Sequence, residues 1–395
     1  MPPLIFRKGL DLKHEVAGTL AESYHSDLIA AIKENDYRYE AGRLTVHLAR
    51  EFGFCYGVDR AVDYAYQARK RFPDRPIVLT GEIIHNPHVN AQLRAQGIRF
   101  LSEPGESIDG LTPEDVVILP AFGITIELLQ QLERRGCTLV DTTCGSVLNV
   151  WKNVRRYTAD GFTSIIHGKF WHEETRATAS QAASGGGHYL VVLDREEAGV
   201  ACDYIRCGGD PRRFLERFER ASSPGFDPDR DLQRLGCANQ TTMLSSESLA
   251  IAEMFRGSIR ARYGDTALDA RFRSFDTICS ATQDRQDAVA ALLAQQPLDL
   301  MIVIGGYNSS NTCNLARICG PRVPTFHIAE AAGLVSPSEI RHKPVDGKDE
   351  RVSTGWLPPS GRVSIGLTSG ASTPDNLVDT VIRRLEGLVN LGHSG

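Results

Sequence analysis

Three times along this chain an extended run reaches a cysteine from which a helical pattern departs. That repetition limits the fold more than any other feature. The runs are Leu44-Thr45-Val46-His47-Leu48 continuing to Phe54-Cys55, then Leu139-Val140-Asp141-Thr142-Thr143-Cys144, then Phe275-Asp276-Thr277-Ile278-Cys279. Val58, Val62 and Ala65 follow Cys55, while Val147, Val150, Trp151 and Val154 follow Cys144. Ala288, Val289, Leu292 and Leu293 come about two turns after Cys279. These are one-face helical spacings.

The repetition continues beyond each helix. A second apolar run ends in polar residues: Ile77-Val78-Leu79 leads to His85, Ile165-Ile166 to His167 and His172, and Met301-Ile302-Val303-Ile304 to Asn308-Ser309-Ser310-Asn311. His85 lies 30 residues past Cys55, His172 lies 28 past Cys144, and Ser309 lies 30 past Cys279. Third runs, Val116–Leu119, Leu235–Ala238 and Val363–Leu367, end at Phe122-Gly123, Asn239-Gln240-Thr241 and Thr368-Ser369-Gly370-Ala371-Ser372. The expected fold class is therefore α/β, with three units at 44–141, 142–276 and 277–375. An N-terminal extension, 1–43, precedes them, and a C-terminal helix and tail, 376–395, follow. Ligands of open α/β sheets bind at the C-terminal ends of the strands, so the three units could face one centre.

A chain of 395 residues can hold several cores of ordinary size. The net charge of −5 gives no basic excess for nucleic acid, and no apolar run approaches the roughly 20 residues of a membrane span. The first forty residues include Lys8, Asp11, Lys13, Glu15 and Glu22, without the apolar core of a signal peptide and too acidic for a typical transit peptide. The expected compartment is the cytoplasm. In the extension, Ser26-Asp27 before Leu28-Ile29-Ala30-Ala31-Ile32 predicts one capped helix, with docking or a solvated arm as its role. Residues 181–235 and 335–361 read as surface elaboration and a long surface loop.

The nine cysteines are an odd number without a Cys-x-x-Cys pair, which argues against a disulfide framework, a zinc ribbon or a ferredoxin-type run. Cys137, Cys237 and Cys319 sit in apolar surroundings and read as small core residues. Equivalent placement sets Cys55, Cys144 and Cys279 apart. The stretch His167-Gly168-Lys169-Phe170-Trp171-His172-Glu173-Glu174-Thr175 could be a metal cluster, an acid/base set or simply a polar helix start. Gly305 to Thr312 is a strand-to-helix turn suited to phosphate, although it lacks the Gly-Lys-Ser/Thr of a Walker loop. Three thiolates could hold zinc with a fourth protein ligand, or a cubane cluster with one iron left open to water or substrate.

The motifs Phe54–Val62, Glu82–Asn86, Asp141–Cys144, His172–Thr175, Asn239–Thr242, Cys279–Gln286, Asn308–Asn311 and Thr368–Asp375 resemble, in order, those of the IspH/LytB family. Its members are 4-hydroxy-3-methylbut-2-enyl diphosphate reductases of the non-mevalonate isoprenoid pathway. The match covers about 44–388, and the extension and the 181–235 segment resemble the longer plant and cyanobacterial branch. The resemblance implies three pseudo-threefold-related α/β lobes around one oxygen-sensitive [4Fe–4S] cluster on Cys55, Cys144 and Cys279. It implies that His85, His172, Thr241, Ser309, Ser310, Asn311 and Ser372 bind the substrate and that Glu174, with Thr241, delivers a proton. Ferredoxin or flavodoxin would supply electrons, and the products would be isopentenyl and dimethylallyl diphosphate. Two positions depart from the better-known bacterial pattern: Phe122 stands where those relatives have a diphosphate-contacting histidine, and Gly145 where many have proline. Rival readings are a quinolinate synthase-type enzyme, an iron–sulfur sensor or carrier, and a structural zinc protein.

Overall fold

The computed structural model describes residues 4–275 and 277–391. Asp276, in the run leading to Cys279, and the outermost residues of both terminal segments lie outside them. The chain divides into two compact units. The first comprises residues 1–7, 75–81 and 99–279, and the second 8–74, 82–98 and 280–395.

The first unit holds two sheets. One has the strand order Ile5–Phe6, Thr138–Asp141, Val116–Leu119, Ile77–Leu79, Ile98–Phe100. The other has the order Phe272–Ser274, Leu235–Asn239, Thr163–His167, Tyr189–Val192, parallel throughout. The second unit holds a sheet in the order Thr325–Ile328, Leu300–Ile304, Val363–Ser369, Leu44–Leu48, Arg38–Ala41, parallel except for its last pair. Central strands such as Val116–Leu119 and Leu300–Ile304 are buried at every residue. Strands of a parallel sheet covered on both faces read as unbroken apolar runs for that reason.

The strand before Cys55 is where sequence grouping and structure differ. Leu44–Leu48 was grouped with the runs at 77–119, but it pairs in register with Val363–Leu367. Each large sheet therefore contains the strand that leads out to a cysteine: Thr138–Asp141 to Cys144, Phe272–Ser274 to Cys279, and Leu44–Leu48 to Cys55. The helix after each cysteine starts at the next residue, giving Tyr56–Arg71, Gly145–Ala159 and Ser280–Gln295.

The N-terminal extension docks rather than trailing in solvent. Ile5–Phe6 lies in register beside Leu139 and Val140. In the second unit the Lys13–Tyr24 helix brings the Tyr24 hydroxyl within 3.0 Å of that of Tyr66. The expected helix is Asp27–Glu34, whose Ser26 cap accepts from the Ile29 amide and donates to Asp379 at 2.7 Å. The 181–235 segment also contributes to a core, because Phe214, Phe218 and Phe226 are buried with Leu190 and Phe255. Residues 335–361 include the antiparallel pair Glu339–His342 and Arg351–Thr354, with Trp356 and Leu357 buried, so they are not one long loop.

Candidate functional site

All nine cysteines lie among the described residues as thiols rather than disulfides; Cys207 is exposed, Cys313 is partly buried within the Ser310–Cys319 helix, and the other seven fall into two groups. Cys137, Cys202, Cys237 and Cys319 are buried, and burial pushes each of these thiols up, that of Cys319 to about 12. A thiol held protonated in this way is a poor ligand. Cys55, Cys144 and Cys279 are only partly buried, and each is the last residue before a helix. Their backbones are fixed alike. The Cys55 amide donates to the Ala371 carbonyl at 3.1 Å, that of Cys144 to Ala121 at 3.0 Å, and that of Cys279 to Thr241 at 3.3 Å. In each case the acceptor belongs to the loop after the third run of the repeat. A helix N-terminus favours the thiolate. Three such sulfurs fit a cluster held by thiolates, with one cluster position left to something other than cysteine.

In the first unit a hydrogen-bonded chain joins three other expected site residues to one of these cysteines. His172 caps the Glu173–Ser184 helix, its Nδ1 accepting from the Glu174 amide at 3.1 Å. That bond leaves the ring proton of a neutral imidazole on Nε2. Glu174 is 1% exposed, and its Oε1 accepts from the Thr241 amide at 2.6 Å. Thr241 in turn offers its carbonyl to Cys279. Phe122 presents its ring edge-to-face to His172, with centroids 5.6 Å apart. Gly123 must be glycine, since its φ is +75° and a Cβ would lie 2.4 Å from the Trp151 ring.

His167 stands apart from the cluster considered for this stretch. It is buried on its strand with Nδ1 2.7 Å from the Ser248 hydroxyl, and burial lowers its pKa to about 4. It is a neutral core histidine.

In the second unit the Ser310–Cys319 helix opens on the expected turn. Ser309 caps it, accepting from the Thr312 amide, and Ser309, Ser310 and Asn311 are all buried. Asn311 accepts from the Ala371 amide at 3.0 Å and donates to the Thr282 hydroxyl at 3.4 Å. Ser372 donates to the His85 carbonyl at 3.3 Å. The turn packs tightly, for a Cβ at Gly306 would lie 2.5 Å from that same carbonyl. His85 donates from Nδ1 to Glu82 at 2.9 Å. Pro87 is the first residue of the Pro87–Ala95 helix, which Asn86 caps, a position that suits proline.

Sequence reading gave no role to Thr282, Arg285 or Gln240. Buried Arg285 donates to the Gly53 carbonyl at 2.7 Å, bracing the turn before Cys55. Gln240 accepts from the Lys169 amide and the Thr175 hydroxyl, both at 3.2 Å. Their only signal was membership of the quoted motifs.

Fold and residues together define an α/β protein that presents partly buried thiols at helix N-termini and a buried helix start suited to an oxyanion. The LytB protein family matches the chain over residues 46–386, and the chain belongs to that family. It is 50% identical over 389 residues to the 4-hydroxy-3-methylbut-2-enyl diphosphate reductase of Synechococcus sp. (strain RCC307), covering 98% of this chain and 94% of that protein. The enzyme of the same name from Gloeobacter violaceus is 50% identical over 397 residues, covering 99% and 94%. Among solved structures, one described as (E)-4-hydroxy-3-methyl-but-2-enyl diphosphate reductase, the terminal enzyme of the non-mevalonate pathway, superposes with a TM-score of 0.53 at 26% identity. That match covers 87% of this chain and 99% of the other. The Plasmodium falciparum E-1-hydroxy-2-methyl-but-2-enyl-4-diphosphate reductase shares the fold, with a TM-score of 0.64 at 21% identity over 86% and 87% of the two chains.

Proposed function

We propose that this chain is a 4-hydroxy-3-methylbut-2-enyl diphosphate reductase, consuming two electrons and two protons to release water and give isopentenyl or dimethylallyl diphosphate. The observation that carries this reading beyond the family match is the buried carboxyl of Glu174, tied through Thr241 to the backbone of Cys279. Cys55, Cys144 and Cys279 would hold one [4Fe–4S] cluster per chain. When bound, that group supplies electrons and a Lewis-acidic iron. The remaining work falls to the polypeptide.

Ser309, Ser310, Asn311 and Ser372 offer hydroxyls, an amide and a helix N-terminus to the diphosphate. His172 would donate from Nε2. His85, held through Nδ1 by Glu82, would present Nε2 to the diphosphate. Holding the diphosphate fixes the reacting end of a short molecule against the proton donor. Glu174 would deliver that proton, its carboxyl held by the Thr241 amide on Oε1. Ferredoxin or flavodoxin would deliver the electrons. The cytoplasm is the proposed compartment, and no helix among the described residues is long and apolar enough to cross a membrane.

The test is substrate-dependent oxidation of reduced methyl viologen by anaerobically reconstituted protein, with Glu174→Gln beside it. Glutamine keeps an oxygen for the Thr241 amide but cannot donate an acidic proton. Turnover should fall by about 10²–10⁴-fold while the cluster spectrum survives. An intact cluster without turnover in the unmodified protein would overturn the reading and favour a sensor or carrier.

A further inference from the structure

A cavity of about 540 Å³ opens in the first unit on the flank of the Glu173–Ser184 helix. Its size falls in the range of small-molecule sites. Phe170, Trp171 and Tyr189 form its aromatic wall, Arg176 and Arg220 supply positive charge, and Glu127 supplies one negative charge. Trp171 is 53% exposed, and the Phe170 and Trp171 rings meet edge-to-face with centroids 4.9 Å apart. The Arg220 guanidinium lies 5.1 Å from the centre of the Phe170 ring, and neither arginine forms an ion pair among the described residues. Burial, with the nearby Glu127 charge, raises the Tyr189 hydroxyl pKa and keeps it a donor.

We infer that this cavity binds an organic phosphate or diphosphate with an apolar body. Two guanidinium forks in excess of one carboxylate match the planar, multidentate needs of a phosphate. An exposed tryptophan beside a phenylalanine and a tyrosine is apolar area that water alone covers poorly, and it lies next to the charges rather than apart from them. The site is distinct from the residues assigned to turnover, although Phe170 and Trp171 immediately precede His172. The inference does not depend on the proposed reaction, since binding can be read without turnover.

Geranyl diphosphate, geraniol and inorganic diphosphate are suitable probes, titrated anaerobically into the cluster-loaded protein with tryptophan emission as the readout. Geranyl diphosphate should change the emission saturably, and Trp171→Phe should abolish the change. Arg176→Gln combined with Arg220→Gln should weaken binding by about tenfold or more, given the strength of charge-assisted hydrogen bonds. The same double variant should leave kcat and KM for the five-carbon substrate unchanged. Inorganic diphosphate and geraniol should each bind at least about tenfold more weakly, lacking either the apolar body or the charge. Equal binding of inorganic diphosphate would overturn the role of the aromatic wall. Equal binding of geraniol, or affinity unaltered in the arginine variant, would overturn the role of the arginines. No emission change with any probe would overturn the site.

Discussion

Asn311 shows how one residue can serve both ligand and fold. Its side-chain oxygen satisfies the Ala371 amide, and the Ala371 carbonyl in turn holds the Cys55 amide. Asn311→Ala removes the acceptor of a partly buried N–H, at a cost of about 0.5–1.5 kcal/mol, and loosens the loop behind Cys55. The expected result is a lower denaturation midpoint together with lower iron and sulfide content. Asn311→Asp keeps the acceptor but places a carboxylate where the diphosphate is proposed to bind, so stability should hold while KM rises. Iron analysis, denaturation and steady-state kinetics on both variants separate the two roles. An alanine variant as stable as the parent would show that the Ala371 bond contributes nothing. Asn311 was legible in the sequence because it sits in a polar turn after an apolar run. Thr282 and Arg285 were not, because they hold groups far away in the chain, and spacing carries no trace of such partners.

At the scale of elements, the sequence announced the strands and the helices after the cysteines, since an apolar run or a one-face stripe is a local signal. It did not announce which strands pair. Leu44–Leu48 pairs with Val363–Leu367 across most of the chain, and nothing within either run marks the other. Local reading also missed the Phe214, Phe218 and Phe226 core, where a charged helix conceals a buried face. Gly145, by contrast, permits a local prediction. It is the exposed first residue of the Gly145–Ala159 helix, and nothing lies within 4 Å of where its Cβ would stand. Cys144 already has φ −64° and ψ 142°, the extended conformation that a following proline demands. Proline suits the first helical position. Gly145→Pro should therefore stabilise the protein by about 0.4–1 kcal/mol through loss of unfolded-state freedom. Anaerobic denaturant titration should show a higher midpoint and an unchanged cluster content. A lower midpoint would mean that the helix start needs glycine's freedom.

Across the whole molecule, each compact unit contains a buried histidine that folding holds neutral. His167 in the first unit is pushed down to about 4 by burial, which outweighs the opposing pull of the Leu193 backbone and Asp194. His327 in the second unit also reaches about 4. Burial is the main cause, reinforced by Lys343 and His342 and opposed by its bond to the Gly305 carbonyl. Both folded values lie below the value of about 6.5 for a solvated histidine, so the unfolded chain takes up these protons first as pH falls. Stability from this source is complete above about pH 6.5 and drains away as pH drops toward 4. The limit is roughly 3 kcal/mol for each histidine. Denaturation midpoints measured between pH 7.5 and pH 4 should fall most steeply in the lower part of that window. His167→Gln and His327→Gln should each flatten the slope, whatever they do to stability at neutral pH, because glutamine has no proton to gain. Carboxylates titrate toward pH 4 as well, and burial also lowers the pKa of His47, His88 and His342, so the contribution of His167 and His327 is the part of the slope that the two replacements remove. A slope unchanged in both variants would assign the acid sensitivity to the other titrating groups.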